Sequence, residues 1–521
     1  MSPQGALRPV LPQEIWWLVA QELARRRDLK GLFRFALVSK GTARSALPLL
    51  YAIASKDSGR IKAFLSLWRS IIASSLGATL FPYCCWLKSL KLNILHRNLE
   101  RLARDRDSTI SRAQFFAPPL EKLEIIASML TEHIRASVDR EDKRASITSL
   151  TLLPRMTTKN LSKWLLPLSR LSSLCVADST VLNHDLACVI RANCPAFREL
   201  TCTSYTGDLF DRNLATFIRG LKTNTLRSLT VSPHLLETTS IGGQSLTALS
   251  KHSRSLNTLH VWGLQLPGFR SLHVLRDCVR LKSLRLGTTH HFEDYSWQTT
   301  CGSVIREVVL WLQNCTALKD LYFDRLPASL VVLREVLRSA NVRLKRLSLL
   351  AARPEVLDRE FFDSLSYQTE LQRLDIVFRQ ADFAEIDKAD RPIFVDAISR
   401  CRYLRRLCVN EAFTLGNIIC LSITLPFLEY FMLDGCLVND ISLATLSRLL
   451  RLKTLLVTGR WAVTPAGVWN FLDELERRQG GEHDGLIIVF AARPETPKFT
   501  DEEVSDLNAA VSRRFKGGRE G

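Results

Sequence analysis

Thirteen cysteines and ten histidines are the side chains of this 521-residue chain with most scope for nucleophilic or metal chemistry, and their spacing decides whether they have it. Adjacent Cys84 and Cys85 form a potential redox pair, and His290, His291, Glu293, Asp294 and Cys301 are the densest set of potential ligands. Neither group matches an established ligand spacing, so Cys84-Cys85 is expected to be buried in a connector and residues 290–297 to form a surface loop. Cys194, Cys278, Cys315 and Cys401 instead share a phase, each lying six residues before a leucine at 200, 284, 321 or 407. Residues of one phase in separate repeats do not converge on a tetrahedral ion, and free cysteine packs as a small hydrophobe. A buried corner position is their expected role. The chain contains no G-x-x-x-x-G-K-[ST], strand-linked G-x-G-x-x-G, H-E-x-x-H or G-x-S-x-G motif. The expectation is therefore a protein without a catalytic site, metal or cofactor.

What such a chain has left is a surface, and a repeat dictates how the surface is laid out. Leu-x-x-Leu-x-aliphatic triplets occur fourteen times, with middle members at 90, 123, 150, 174, 200, 229, 259, 284, 321, 347, 374, 407, 431 and 455. Their mean spacing is about 28 residues, the period of leucine-rich repeats. A strand points alternate side chains to opposite faces, so the second and third apolar residues enter one core and those between face outward. Stretches such as Leu214, Phe217, Ile218 and Leu221, at helical spacing, supply the apolar stripe that covers the sheet. The expected fold class is α/β, a leucine-rich-repeat solenoid with parallel strands on the concave face and helices on the convex face.

The outward triplet positions carry fourteen Lys or Arg against six acidic residues. Their richest stretch holds Lys282, Arg285, Tyr322, Arg346, Arg373, Arg406 and Tyr430, which are the candidate substrate-binding residues. Arginine beside tyrosine suits carboxylates or phosphates, so an acidic or phosphorylated protein segment is the expected partner. Net charge of +19 also favours nonspecific adhesion to nucleic acid, although no nucleic-acid motif is present.

Residues 9–51 follow a different grammar: Leu11-Pro-Gln-Glu-Ile15, Asp28-Leu29, Leu37-Val-Ser-Lys40 and Leu47-Pro-Leu-Leu-Tyr51. This order resembles an F-box, particularly of the fungal type, and the tract from Ile61 to Leu90 resembles the connector that follows such F-boxes. The phased cysteines likewise resemble those in the leucine-rich repeats of F-box proteins. The resemblance implies a small all-α domain that binds a Skp-type adaptor and, through it, a cullin, while the repeats select a substrate for ubiquitination. Carried onto this chain, the adaptor contacts fall on Leu11, Pro12, Ile15, Leu18, Leu29, Leu32 and Val38.

The expected organisation is a flexible N-terminus at 1–8, an F-box-like domain at 9–51, a helical connector at 52–86, a solenoid at 87–490 that ends on an extra strand at 485–490, and a cap helix with tail at 491–521. Thr500-Asp-Glu-Glu503 before Val504, Leu507 and Val511 is a capping-box pattern. With 46% apolar residues, no segment read as a membrane span and an odd cysteine count, a soluble chain in a reducing compartment, cytoplasmic or nuclear, is expected. The leading functional expectation is the non-catalytic substrate receptor of an SCF-type ubiquitin ligase. Its main alternative is a repeat scaffold or inhibitor outside ubiquitination.

Overall fold

The structure is a computed structural model and describes residues 12–54, 68, 70–79, 83–97, 119–141, 146–153, 158–203, 209–232, 241–288, 296–326, 328–352, 357–378, 390–434, 438–459, 461–479, 485–492 and 499–515. It divides into two compact units, Met1–Thr239 and Ser240–Gly521.

The first unit opens with three helices, α1 (Gln13–Arg25), α2 (Leu29–Ala36) and α3 (Lys40–Ala54). Their boundaries are written in local chemistry. The Asp28 carboxylate accepts the Gly31 N–H at 2.8 Å and so caps the start of α2. Ser39 and Thr42 cap α3 reciprocally: the Thr42 N–H donates to Ser39 Oγ at 3.1 Å and the Ser39 N–H to Thr42 Oγ1 at 2.9 Å. Ala20, Leu32, Ala36, Ala46 and Leu50 form the core of the three-helix head.

Five parallel strands follow in the same unit: β1 (Ser89–Lys91), β2 (Ser149–Thr151), β3 (Ser173–Val176), β4 (Glu199–Cys202) and β5 (Ser228–Val231). Leu90, Leu150, Leu174, Leu200 and Leu229 are paired in register along them. The triplet centred on Leu123 is an exception, because it lies in the helix Pro119–Glu141 and β1 pairs directly with β2. Leucines three apart fit a helical stripe as well as a strand, and Glu121, Lys122 and Glu124 favour the helix.

Among the described residues the second unit holds nine strands: β6 (Thr258–Val261), β7 (Ser283–Gly287), β8 (Asp320–Asp324), β9 (Arg346–Ala352), β10 (Arg373–Phe378), β11 (Arg406–Ala412), β12 (Tyr430–Asp434), β13 (Thr454–Gly459) and β14 (Ile487–Ala492). All are parallel, and Leu259, Leu284, Leu321, Leu347, Leu374, Leu407, Phe431, Leu455 and Ile488 run across them in one row. From Leu259 to Leu455 that row is fully buried. Each leucine so buried contributes roughly 1.5–3 kcal/mol, and each rung supplies the neighbour against which the next one is buried. The fourteen strands alternate with helices, so the fold is an α/β leucine-rich-repeat solenoid preceded by helices.

Two features of the corners explain recurring residue choices. Cys194, Cys278, Cys315 and Cys401 are buried where helix returns to strand, and the carbonyls of Cys194, Cys315 and Cys401 each accept the N–H three residues on. Burial pushes all four thiols up to about 12, so at neutral pH they are protonated packing groups. At the same phase before Leu374 stands Gln368, fully buried. Its amide donates to the carbonyls of Leu337 and Val342 at 2.7 and 3.2 Å and accepts the Leu344 N–H at 2.9 Å.

At the C-terminal end, Trp461, Phe490 and Phe499 pack with ring centroids 5.0–5.6 Å apart. The helix Asp501–Arg514 begins with the capping box of Thr500 and Glu503, and buries Leu507 and Ala510. Among the described residues no helix is long and apolar enough to cross a membrane.

Candidate protein-binding site

The outward positions flanking the buried leucine row differ between the two units. In the first, β1 to β5 present Ser89, Ser149, Ser173, Glu199 and Ser228 before the leucine and Lys91, Thr151, Cys175, Thr201 and Thr230 after it, a face of mostly small side chains. In the second, the corresponding positions carry large charged and aromatic groups, and the register brings them together around two carboxylates.

Asp320 on β8 is 4% exposed. Its Oδ2 accepts the Ser283 hydroxyl at 2.8 Å and lies 3.2 Å from Nη2 of both Arg285 on β7 and Arg346 on β9. Asp375 on β10 is buried to the same degree. It accepts Arg373 Nε at 2.5 Å and Ser348 Oγ at 2.9 Å on Oδ2, and Arg406 Nε at 3.0 Å on Oδ1. Each carboxylate thus holds two guanidiniums from its own or adjacent strands. Burying a carboxylate alone is prohibitive, but two cations and a hydroxyl offset the desolvation.

The arrangement does more than neutralise charge. Arg373 and Arg406 both use Nε on Asp375, and Arg406 also engages the Cys408 side chain. Pinning the guanidiniums in advance removes rotamer entropy that a partner's binding would otherwise have to overcome. The Arg406 guanidinium also lies 3.7 Å from the Tyr430 ring centroid, and the Arg285 guanidinium 5.7 Å from that of Tyr322. Burial, reinforced by the Asp324 charge and opposed by the Trp262 hydrogen bond and the Arg285 charge, pushes the Tyr322 hydroxyl up from its ordinary range, so it stays neutral. Trp262 and His260 extend the aromatic row, with Trp262 6.1 Å from Tyr322 and His260 5.9 Å from Trp262.

His260, Ser283 and Asp320 are the three residue types of a hydrolytic triad, in the wrong order for one. His260 Nε2 lies 2.8 Å from Ser283 Oγ, and that hydroxyl donates to Asp320. The serine is therefore in the middle, its proton aimed at a carboxylate already held by two arginines, whereas a triad places histidine between acid and nucleophile. Burial and the Arg285 charge lower His260 to about 4, against the opposing pull of Asp320, leaving a neutral ring that donates to Ser283.

Of the seven candidate residues on this face, six gather here: Arg285, Tyr322 and Arg346 around Asp320, and Arg373, Arg406 and Tyr430 around Asp375. Lys282 is exposed at the turn before β7 and joins neither cluster. The carboxylates that organise the site, with Ser283, Ser348, His260 and Trp262, were not among the candidates. Their signal was available in the triplets: aligned by the buried leucine, Asp320 stands beside Arg346, and Asp375, opposite Cys408, stands two residues diagonal from Arg406.

The fold is that of a leucine-rich-repeat protein. No protein-family model and no curated protein sequence matches the chain. Solved structures similar to it include a chain of the Rad7 and Elc1 complex of yeast, at TM-score 0.42 and 13% identity over 82% of this chain and 95% of that one. A Bacteroides fragilis protein is similar at TM-score 0.31 and 10% identity over 58% and 77%. The TLR13 complex with ssRNA13 gives TM-score 0.30 and 14% identity over 72% and 54%. These are loose likenesses of architecture.

The helical head has a different surface. Ile15, Leu18 and Val19 share one face of α1 and are 40%, 57% and 40% exposed; Trp17 is also exposed on that helix. Phe33 on α2 is exposed to a similar degree, and Leu37 and Val38 after it are more exposed still. Of the candidate adaptor contacts, Leu11 lies outside the described residues, and Pro12, Ile15, Leu18 and Val38 are exposed. Leu29 is half-buried at the start of α2. Leu32 is fully buried in the head core, so it can support the face but not touch a partner. The sequence candidates did not include Trp17, Val19, Phe33 or Leu37. The histidine-rich segment 290–295 also lies outside the described residues, while Ser296 and Trp297 begin the helix Ser296–Asn314 rather than ending a loop.

Proposed function

We propose that this chain is the substrate-recognition subunit of an SCF-type ubiquitin ligase: α1–α3 bind a Skp-type adaptor, and through it a cullin, while the arginine face of the second unit binds an acidic or phosphorylated protein segment. The observation that carries the reading is the row of exposed apolar side chains on α1 and at the end of α2. A soluble domain with its own closed core has no folding reason to expose them, and such patches mark interaction sites. The F-box-like order of motifs in the same residues names the adaptor. The chain contributes no reacting group in this scheme and accelerates transfer by holding the client near the bound conjugating enzyme.

Co-purification with a Skp-type adaptor tests it. Wild-type full-length chain retains the adaptor, Ile15→Asp and Leu18→Asp lose it, and Arg373→Glu with Arg406→Glu keeps the adaptor but loses the client. Failure of wild type to bind, or indifference to both α1 substitutions, sinks the receptor reading. It would favour the alternative, a repeat scaffold or inhibitor outside ubiquitination, which the preorganised arginines support without any adaptor.

A further inference from the structure

The turn that leads into β1 carries an arrangement the receptor reading does not use. Cys84 and Cys85 sit on the short 3-10 turn Tyr83–Trp86, and His133 sits on the helix Pro119–Glu141 that packs against that turn. One potential ligand atom from each of the three lies within 4.8 Å of the others. The two sulfurs are 4.0 Å apart. Two thiolates on one tetrahedral zinc, each about 2.3 Å from the ion, stand roughly 3.8 Å apart. The three donors converge from segments 48 positions apart in the chain, so their meeting is a product of the fold.

The surroundings resemble support for ligands more than simple packing. Ser74, itself 2% exposed, has its hydroxyl 3.5 Å from Cys84 Sγ, in position to donate to a thiolate, and receives the Cys84 N–H at 3.4 Å. Hydrogen bonds from outside the donor set fix a ligand's orientation and tune its charge. Cys84 is fully buried whereas Cys85 and His133 are half-buried, which leaves an approach for an ion. Two sulfurs and one imidazole are a borderline-soft set that selects zinc over magnesium or calcium.

We propose that Cys84, Cys85 and His133 bind one zinc ion, with a fourth position left to water, and that the ion staples the turn before β1 to the helix before β2. Helix α3 packs on the same turn, so the staple also fixes how the head is mounted on the first rung. This site is independent of the adaptor and client readings.

The test uses the full-length chain, reduced and stripped with a chelator, titrated with cobalt(II) and then zinc(II). Expected are a thiolate-to-cobalt charge-transfer band saturating at one equivalent, its displacement by zinc, and protection of Cys84 and Cys85 from alkylation by zinc. Cys85→Ser and His133→Asn remove the saturable band, and Ser74→Ala weakens zinc by about 10–100-fold. Cys188→Ser, which breaks the surface Cys188–His184 pair, changes nothing. The half-buried His133→Asn and the wild-type alkylation pattern remain informative should a cysteine variant misfold. The proposal is overturned by absence of the band at saturating cobalt, by a band that survives both Cys85→Ser and His133→Asn, or by a Cys84–Cys85 disulfide that persists in protein prepared under reducing conditions.

Discussion

On the proposed reading, Asp375 serves stability and recognition together. It is buried, yet the arginines it holds are only partly so: the Arg373 and Arg406 side chains are 45% and 33% exposed. Asp375→Ala leaves two cations that water can still reach. The expected cost is therefore about 1.5–3 kcal/mol, below that of orphaning a fully buried charge, and denaturant unfolding measures it. Client binding should fall further than stability does, because the guanidiniums lose the anchor that orients them. His260 adds a pH dependence. Its folded value, about 4, lies below the ordinary 6.5, so the unfolded chain binds the extra proton first. Its contribution is complete above about 6.5 and is lost as pH falls toward 4. Melting temperatures should accordingly drop less between pH 7 and 5 in His260→Gln than in wild type. An equal drop in both would show that His260 is not the titrating group.

At the scale of elements, the corners carry as much information as the strands. Cysteine, leucine and glutamine occupy the same phase because the position demands burial, and how each meets the free backbone groups differs. Leu168, Leu425 and Leu449 offer only their carbonyls to the N–H three residues on, whereas Gln368 also engages three backbone groups of the preceding rung through its side chain. Gln368→Ala would leave those groups without partners and create a small cavity. We expect a loss of about 2–4 kcal/mol, with hydrogen exchange rising around residues 337–344 before it rises elsewhere. Exchange unchanged at those amides would mean that water replaces the side chain. Neighbouring rungs are also tied by aromatic contacts, Phe362 with Phe394 at 4.8 Å and Phe394 with Phe413 and Phe413 with Phe431 at 6.4 Å, a spine of which only Phe431 belongs to a triplet.

For the whole molecule, a solenoid's weakness is its ends, where a rung has a neighbour on one side only. The C-terminal end is closed by Trp461, Phe490 and Phe499 and by the helix Asp501–Arg514, whose buried residues are few. Deleting residues 493–521 should expose Trp461 and Phe490, lower the melting temperature and promote self-association, which light scattering would report. A truncated chain as stable and monomeric as the intact one would show that β14 caps itself. The count of arginines on the proposed recognition face overstates the charge a partner would meet there, since Asp320 and Asp375 each engage two of them. Specific binding there should thus depend less on salt than net charge suggests, through local bidentate contacts.

The rungs were legible in the chain because burial is periodic: a leucine recurring at one phase reports the same neighbour each time, and thirteen of the fourteen triplets became strands paired at their middle residue. The Leu123 triplet was not separable, since a three-residue spacing serves helix and strand alike. The exposed arginines and tyrosines of the second unit could be named from alternation alone, whereas Ile15 and Leu18 of α1 were named from the F-box resemblance, which passed over Trp17 and Val19. Which of these residues act together was decided by tertiary structure. Asp320 and Asp375 looked like ordinary outward acids until register set them between arginines of their own or neighbouring strands, Leu32 looked like a contact until the head closed over it, and Cys84, Cys85 and His133 had no shared pattern until a helix laid one beside the other two. Periodicity records what each residue repeats with its neighbours along the chain, whereas charge pairing and metal geometry depend on distances that only the packed rungs define.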